Sequence, residues 1–77
     1  MNSNEKTREK EAKLVHLYNI LERVREEKGL SKKKFSEQAG MAQNWYVQCL
    51  SQKRDIGYAE LARLIKEYGI DPVELFG

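Results

Sequence analysis

Apolar positions recur at three- and four-residue steps from Leu14 onward, through Leu17, Leu21 and Val24, with Tyr18 beside them. That spacing predicts an amphipathic helix. Val15 and Ile20 lie off the stripe, so this helix carries a second apolar side. Gly29, following Lys28, predicts its end, because the left-handed residue that closes a helix is most often glycine. Ser31 reads as the N-cap of a short second helix that turns Phe35 and Ala39 inward and stops at Gly40. A third helix is predicted from about Gln43 to Ser51, with Tyr46, Cys49 and Leu50 at apolar spacing. Residues 52–57 form a loop. A fourth helix, about Tyr58 to Tyr68, buries Leu61, Ala62, Leu64 and Ile65 and closes at Gly69. Asp71, Pro72 and Glu74 read as the cap, first position and N3 of a fifth helix, which makes a capping box with an N1 proline. Short links and no strand signal predict an all-α fold, a compact five-helix bundle. Residues 1–12 hold no apolar residue after Met1 except Ala12 and alternate in charge. They read as a flexible arm or a frayed helix start ahead of one domain over residues 13–77.

Length and composition narrow the chemistry. Seventy-seven residues make one domain, and helix packing must supply its stability. The single cysteine, Cys49, excludes an internal disulfide and fits a reducing cytosol. His16 and Cys49 alone cannot complete a four-ligand metal site, so no metal or other cofactor is expected. The charged N-terminus is no signal peptide, and no apolar run approaches the roughly 20 residues that span a bilayer. A cytoplasmic protein with no membrane contact is expected. No glycine-rich phosphate loop, nucleophile beside a base, or pocketed carboxylate pair is present, so no enzyme is expected.

The net charge of +2 hides an uneven distribution. Residues 1–27 balance to zero, residues 28–54 carry +5, and residues 55–77 carry −3. The basic middle points to a polyanion-facing surface, or else to a solvated face rich in lysine. Lys32, Lys33 and Lys34 sit in the first turn of the second helix, where the helix dipole makes each cation unfavourable by a few tenths of a kcal/mol. A docked polyanion removes that penalty and engages the free backbone N–H groups. Lys32 is assigned to phosphate or base-edge contact, Lys33 and Lys34 to phosphates, and Lys53 and Arg54 to a backbone clamp beyond the third helix. Gln43, Asn44 and Gln48 are amides at the start of that helix, and 44 and 48 are an i, i+4 pair. Such amides pair bidentately with adenine, at roughly 1–3 kcal/mol of discrimination per good contact. The alternative is plain surface amides.

Leu21, Val24, Arg25, Gly29, Leu30 and Ser31, then Phe35, Gly40 and Met41, then Leu61 and Leu64, follow one ordered pattern. Tyr68, Gly69, Ile70, Asp71, Leu75 and Phe76 close it. The set resembles the helix-turn-helix of phage Cro and lambda-type repressors, the XRE-like family, over about residues 17–77 without a gap. The chain differs from that family where Ser36 stands for a usual Ala, Ala42 for the Ser or Thr cap of the recognition helix, and Leu50, Gln52 and Ile56 for Glu, Gly and Pro. The resemblance implies a lambda-repressor-like fold with its helix-turn-helix at about residues 31–52. It puts base readers at Gln43, Asn44 and Gln48, and implies a phage or other mobile-element setting. It also implies a sequence-specific regulator of transcription, a repressor by default, that binds double-stranded DNA as a homodimer on a palindromic operator. Trp45 is expected partly exposed against the sugar-phosphate backbone, with a core or dimer-interface position as the alternative. Tyr46 replaces an aliphatic core residue with its hydroxyl on a polar partner, Cys49 is a small buried residue, and His16 is surface or partly packed. A second reading is a protein-interaction module of the same fold, antirepressor- or antitoxin-like. Its partner surface would be Leu14, Val15, Leu17 and Ile20 of the N-terminal helix. The homodimer contact falls either there or on the last helix around Val73, Leu75 and Phe76.

Overall fold

The computed structural model describes the backbone of residues 3–76 and the side chains of residues 11–76. Five helices follow in order: α1 (Ser3–Glu27), α2 (Lys32–Gln38), α3 (Trp45–Gln52), α4 (Tyr58–Tyr68) and α5 (Pro72–Phe76). No strand occurs among the described residues. Nothing before Gly29 breaks a helix, since residues 1–28 hold neither glycine nor proline. The charged stretch from Ser3 lies within the first helix; residues 1 and 2 lie outside the described residues. At 1.5 Å per residue α1 spans about 37 Å, and the molecule measures 43 × 25 × 21 Å, so α1 sets the long dimension.

The end of α1 carries two bonds of one capping motif: Gly29 N–H donates to Glu26 O at 3.0 Å and Leu30 N–H to Arg25 O at 3.1 Å. Gly29 can take the required φ of +66° because it has no Cβ to clash. The same pair of bonds closes α2, from Gly40 N–H to Glu37 O and from Met41 N–H to Ser36 O. Ser31 caps α2 as expected, its Oγ accepting from Lys34 N–H at 3.1 Å.

The core draws on every helix. Leu17, Ile20 and Leu21 of α1 meet Phe35 of α2, Tyr46 and Cys49 of α3, Leu61, Leu64 and Tyr68 of α4, and Leu75 of α5. Phe35 is its centre: it stacks on Tyr68 with ring centroids 4.4 Å apart and tilts against Tyr46 at 4.6 Å. The Tyr68 hydroxyl donates to Phe35 O at 2.6 Å, so the α2–α4 contact is both apolar and hydrogen-bonded.

Three local expectations are corrected. Ala62 is exposed rather than buried, because the inward stripe of α4 runs through Leu61, Leu64 and Tyr68 and leaves it to one side. The N-cap half of the α5 capping box is present, with Asp71 Oδ1 accepting from Val73 N–H at 2.9 Å. Glu74 does not complete it: its Oε1 is taken by Arg23 of α1. Helix α3 also starts later than its apolar spacing predicts.

Candidate nucleic-acid interface

Helix α3 begins at Trp45, two residues later than its apolar spacing suggests. Gln43 and Asn44 lie in the preceding turn, in which Trp45 N–H donates to Ala42 O at 3.0 Å. Asn44 stands at the N-cap, yet its side chain makes no capping bond and its φ of −96° and ψ of 3° are not those of an extended cap residue. The capping oxygen comes from the neighbouring helix. Ser36, wholly buried in α2, accepts from Tyr46 N–H at 3.0 Å and donates to Lys32 O at 3.1 Å.

The two faces of α3 differ sharply. Trp45, Tyr46 and Cys49 point inward and Leu50 is half-buried; Val47, Gln48, Ser51 and Gln52 are exposed, as are Gln43 and Asn44 ahead of them. Residues 38–52 hold no charged side chain at all, in a chain that is 34% charged. The solvent face of α3 is thus amide, hydroxyl and methyl, groups that match base edges and the thymine methyl. Val47 and Ser51 share that face by their i+3 and i+7 spacing from Asn44. Sequence reasoning missed both, although the spacing was there to use.

Cations precede and follow this uncharged stretch in the sequence. Lys32, Lys33 and Lys34 are exposed in the first turn of α2, which has no acidic residue, and Lys53 and Arg54 are exposed past the end of α3. Lys32 and Lys53 come to one neighbourhood around Glu22 of α1. Lys32 is close enough to help hold the Glu22 carboxyl low. Lys53 shares with Glu22 a shallow groove lined by Val15, Tyr18, Asn19 and Leu50. Lys53 ends α3 in the left-handed conformation, φ 50° and ψ 46°, the sole non-glycine residue with positive φ among those described. The Arg54 carbonyl is held by the Tyr18 hydroxyl, and its Nη2 lies 3.7 Å from Cys49 Sγ. Arg63 of α4 adds a further cation. Its Nη1 reaches Gly40 O at 3.4 Å, in the turn between α2 and α3; no local motif marked it.

Trp45 departs from expectation. It is 9% exposed and belongs to the core, so its assignment to a DNA backbone contact is withdrawn. Its position explains this, because residues 45, 46 and 49 form one inward stripe. Its Nε1 is buried without a hydrogen-bond partner among the described residues. Tyr46 and Cys49 are fully buried, as expected.

A network fixes α3 to α1. The Tyr46 hydroxyl donates to Glu22 Oε2 at 2.8 Å, and Arg25 Nε donates to the same oxygen at 2.7 Å. Arg25 Nη1 also caps Leu30 O at 2.7 Å. The Arg25 bond, with help from Tyr46, holds the Glu22 carboxyl below the usual glutamate range; burial and the Glu22 bond push the Tyr46 phenol up. Burial likewise pushes the Cys49 thiol up, which keeps it protonated and unreactive at neutral pH.

Of the apolar residues of α1 that could form a partner surface, Leu17 and Ile20 are buried in the core and Leu14 packs against it, leaving Val15 half-exposed. His16 is exposed, with Nε2 bonded to Glu74 O at 2.8 Å. Among the described residues no group of three or more His, Cys, Asp or Glu is placed to hold a metal ion, and no helix is long and apolar enough to cross a membrane. No family model, curated protein or solved structure matches the chain.

Proposed function

We propose that this chain is a sequence-specific double-stranded DNA-binding regulator of transcription, with α2, the turn and α3 forming a helix-turn-helix of the Cro and lambda-repressor kind. One observation carries the reading: an exposed helix face without charge, in a stretch preceded by Lys32, Lys33 and Lys34 and followed by Lys53 and Arg54. A solvated surface in so charged a chain has no reason to exclude Lys and Glu from residues 38–52. A face that enters the major groove gains by excluding unpaired carboxylates, which the phosphates repel, and its amides, hydroxyls and methyls suit adenine edges and the thymine methyl. Gln43, Asn44 and Gln48 read base edges, with Val47 and Ser51 beside them. Lys32, Lys33, Lys34, Lys53 and Arg54 hold phosphates and fix the register. The chain acts as a homodimer on a palindromic operator and represses by occluding a promoter. Val73 and Phe76 are exposed on α5 and serve the dimer contact there, while Leu75 is buried; Val15 is what α1 leaves exposed among the described apolar residues named for the other surface.

Backbone amide NMR on the intact protein tests the interface. Titration with a short duplex of arbitrary sequence should shift residues 31–34 and 42–54 and leave the outer faces of α1 and α4 unmoved. Shifts confined to α1 or α5, or none at low salt, would turn the search to a protein partner.

A further inference from the structure

We propose that Ser36 is a positioning residue for sequence readout, its buried hydroxyl setting the start of α3 in register against the lysine-bearing first turn of α2. The proposal rests on the DNA-binding reading above. The first N–H groups of a helix have no carbonyl of their own to bond, and those of α3 have no local cap. Ala42 has no hydroxyl, and the Asn44 side chain makes no capping bond. Ser36 Oγ fills the gap from the neighbouring helix, accepting from Tyr46 N–H while donating to Lys32 O. Both ends of that relay matter. Lys32 stands among the phosphate anchors, and Tyr46 N–H lies one turn or less from Gln43, Asn44 and Gln48.

Ser36 and Tyr46 are both fully buried, so water cannot replace the hydroxyl. Without it Tyr46 N–H is left unsatisfied, and the first turn of α3 must fray or shift. The bond that closes α2 does not depend on the hydroxyl, because Met41 N–H donates to the Ser36 backbone carbonyl and not to its side chain. Bidentate pairing of an amide with a base edge tolerates little displacement, whereas attraction between lysine and phosphate tolerates much. Ser36 therefore bears on discrimination more than on general affinity.

The test compares wild type, Ser36→Ala and Ser36→Thr on two duplexes at one salt concentration, a sequence selected by wild type and a scrambled one. Ser36→Ala should bind the scrambled duplex within about twofold of wild type and the selected duplex about tenfold more weakly. Ser36→Thr, which keeps the hydroxyl, should recover most of that loss. An equal fall on both duplexes, in step with a lower Tm, would mark a merely structural role and overturn the proposal. So would an unchanged affinity for the selected duplex. If wild type prefers no sequence, the DNA reading fails on its own, and hydrogen exchange at the Tyr46 amide decides the positioning role. Faster exchange in Ser36→Ala but not in Ser36→Thr upholds the hydroxyl as what sets α3, and an unchanged rate rejects it.

Discussion

Lys53 spends conformational energy to stand where it does. A side chain in the left-handed region costs about 1–2 kcal/mol, and glycine would sit there freely, yet the chain has a lysine at the end of the helix proposed to read DNA. Lys53→Gly should raise stability by about 0.5–1 kcal/mol in a thermal melt. It should also flatten the salt dependence of DNA binding by about one unit of slope. A gain in stability with no change in slope would remove Lys53 from the interface. Lys32 and Gln43 separate by the same logic. Lys32→Ala should weaken binding to all duplexes alike, and Gln43→Ala should relax preference at a single base position, by roughly 1–3 kcal/mol. Competition titrations with single-base variants distinguish the two patterns. At this scale the sequence was legible where a side chain answers to its own helix: Cys49 and Tyr46 follow the inward stripe. Trp45 follows it too, but its size and its place near the basic residues also suit an exposed contact, and packing decided the matter.

Glu22, Arg25 and Tyr46 join α1 to α3, and their charges make that joint sensitive to acid. Glu22 titrates lower in the folded chain than its ordinary 4.5, so its contribution is fully present above that value and disappears as the pH falls through the folded one. Wild type should therefore lose stability on acidification below about pH 4.5, and Glu22→Gln should start less stable and lose less. Chemical denaturation at pH 7 and pH 3 measures both; parallel losses in the two proteins would exclude Glu22 as the source. The elements themselves were legible because glycine and cap residues punctuate them: Gly29, Ser31, Gly40 and Gly69 fall at the observed ends. The start of α3 was not, because its cap is Ser36, a residue of another helix, and a local pattern cannot register a bond across ten positions. Glu74 failed similarly: the capping pattern was right in kind, but Arg23 competes for the carboxylate from α1. The first turns of α1 have no apolar stripe to announce them, and the helix runs through them because nothing stops it.

At the scale of the whole molecule, the apolar residues left outside the core matter most. Val73 is 77% and Phe76 63% exposed on α5, on the helix that Arg23 and His16 clasp to α1. If α5 joins two copies, Phe76→Asp should leave the fold intact, give a monomer in sedimentation, and keep half-site binding while losing the tighter binding to a palindrome. A variant that stays dimeric would move the contact elsewhere. The basic middle was readable from charge alone. That the uncharged stretch beside it includes an exposed helix face became visible only once α3 was divided into inward and outward sides. Selection from a random double-stranded DNA library, with wild type beside a Gln43→Ala, Gln48→Ala variant, decides whether α3 reads DNA. Wild type should enrich a palindrome with half-sites centred about 34 Å apart, which the variant fails to select. Equal enrichment by both proteins, or no enrichment by either, would rule out base reading by α3.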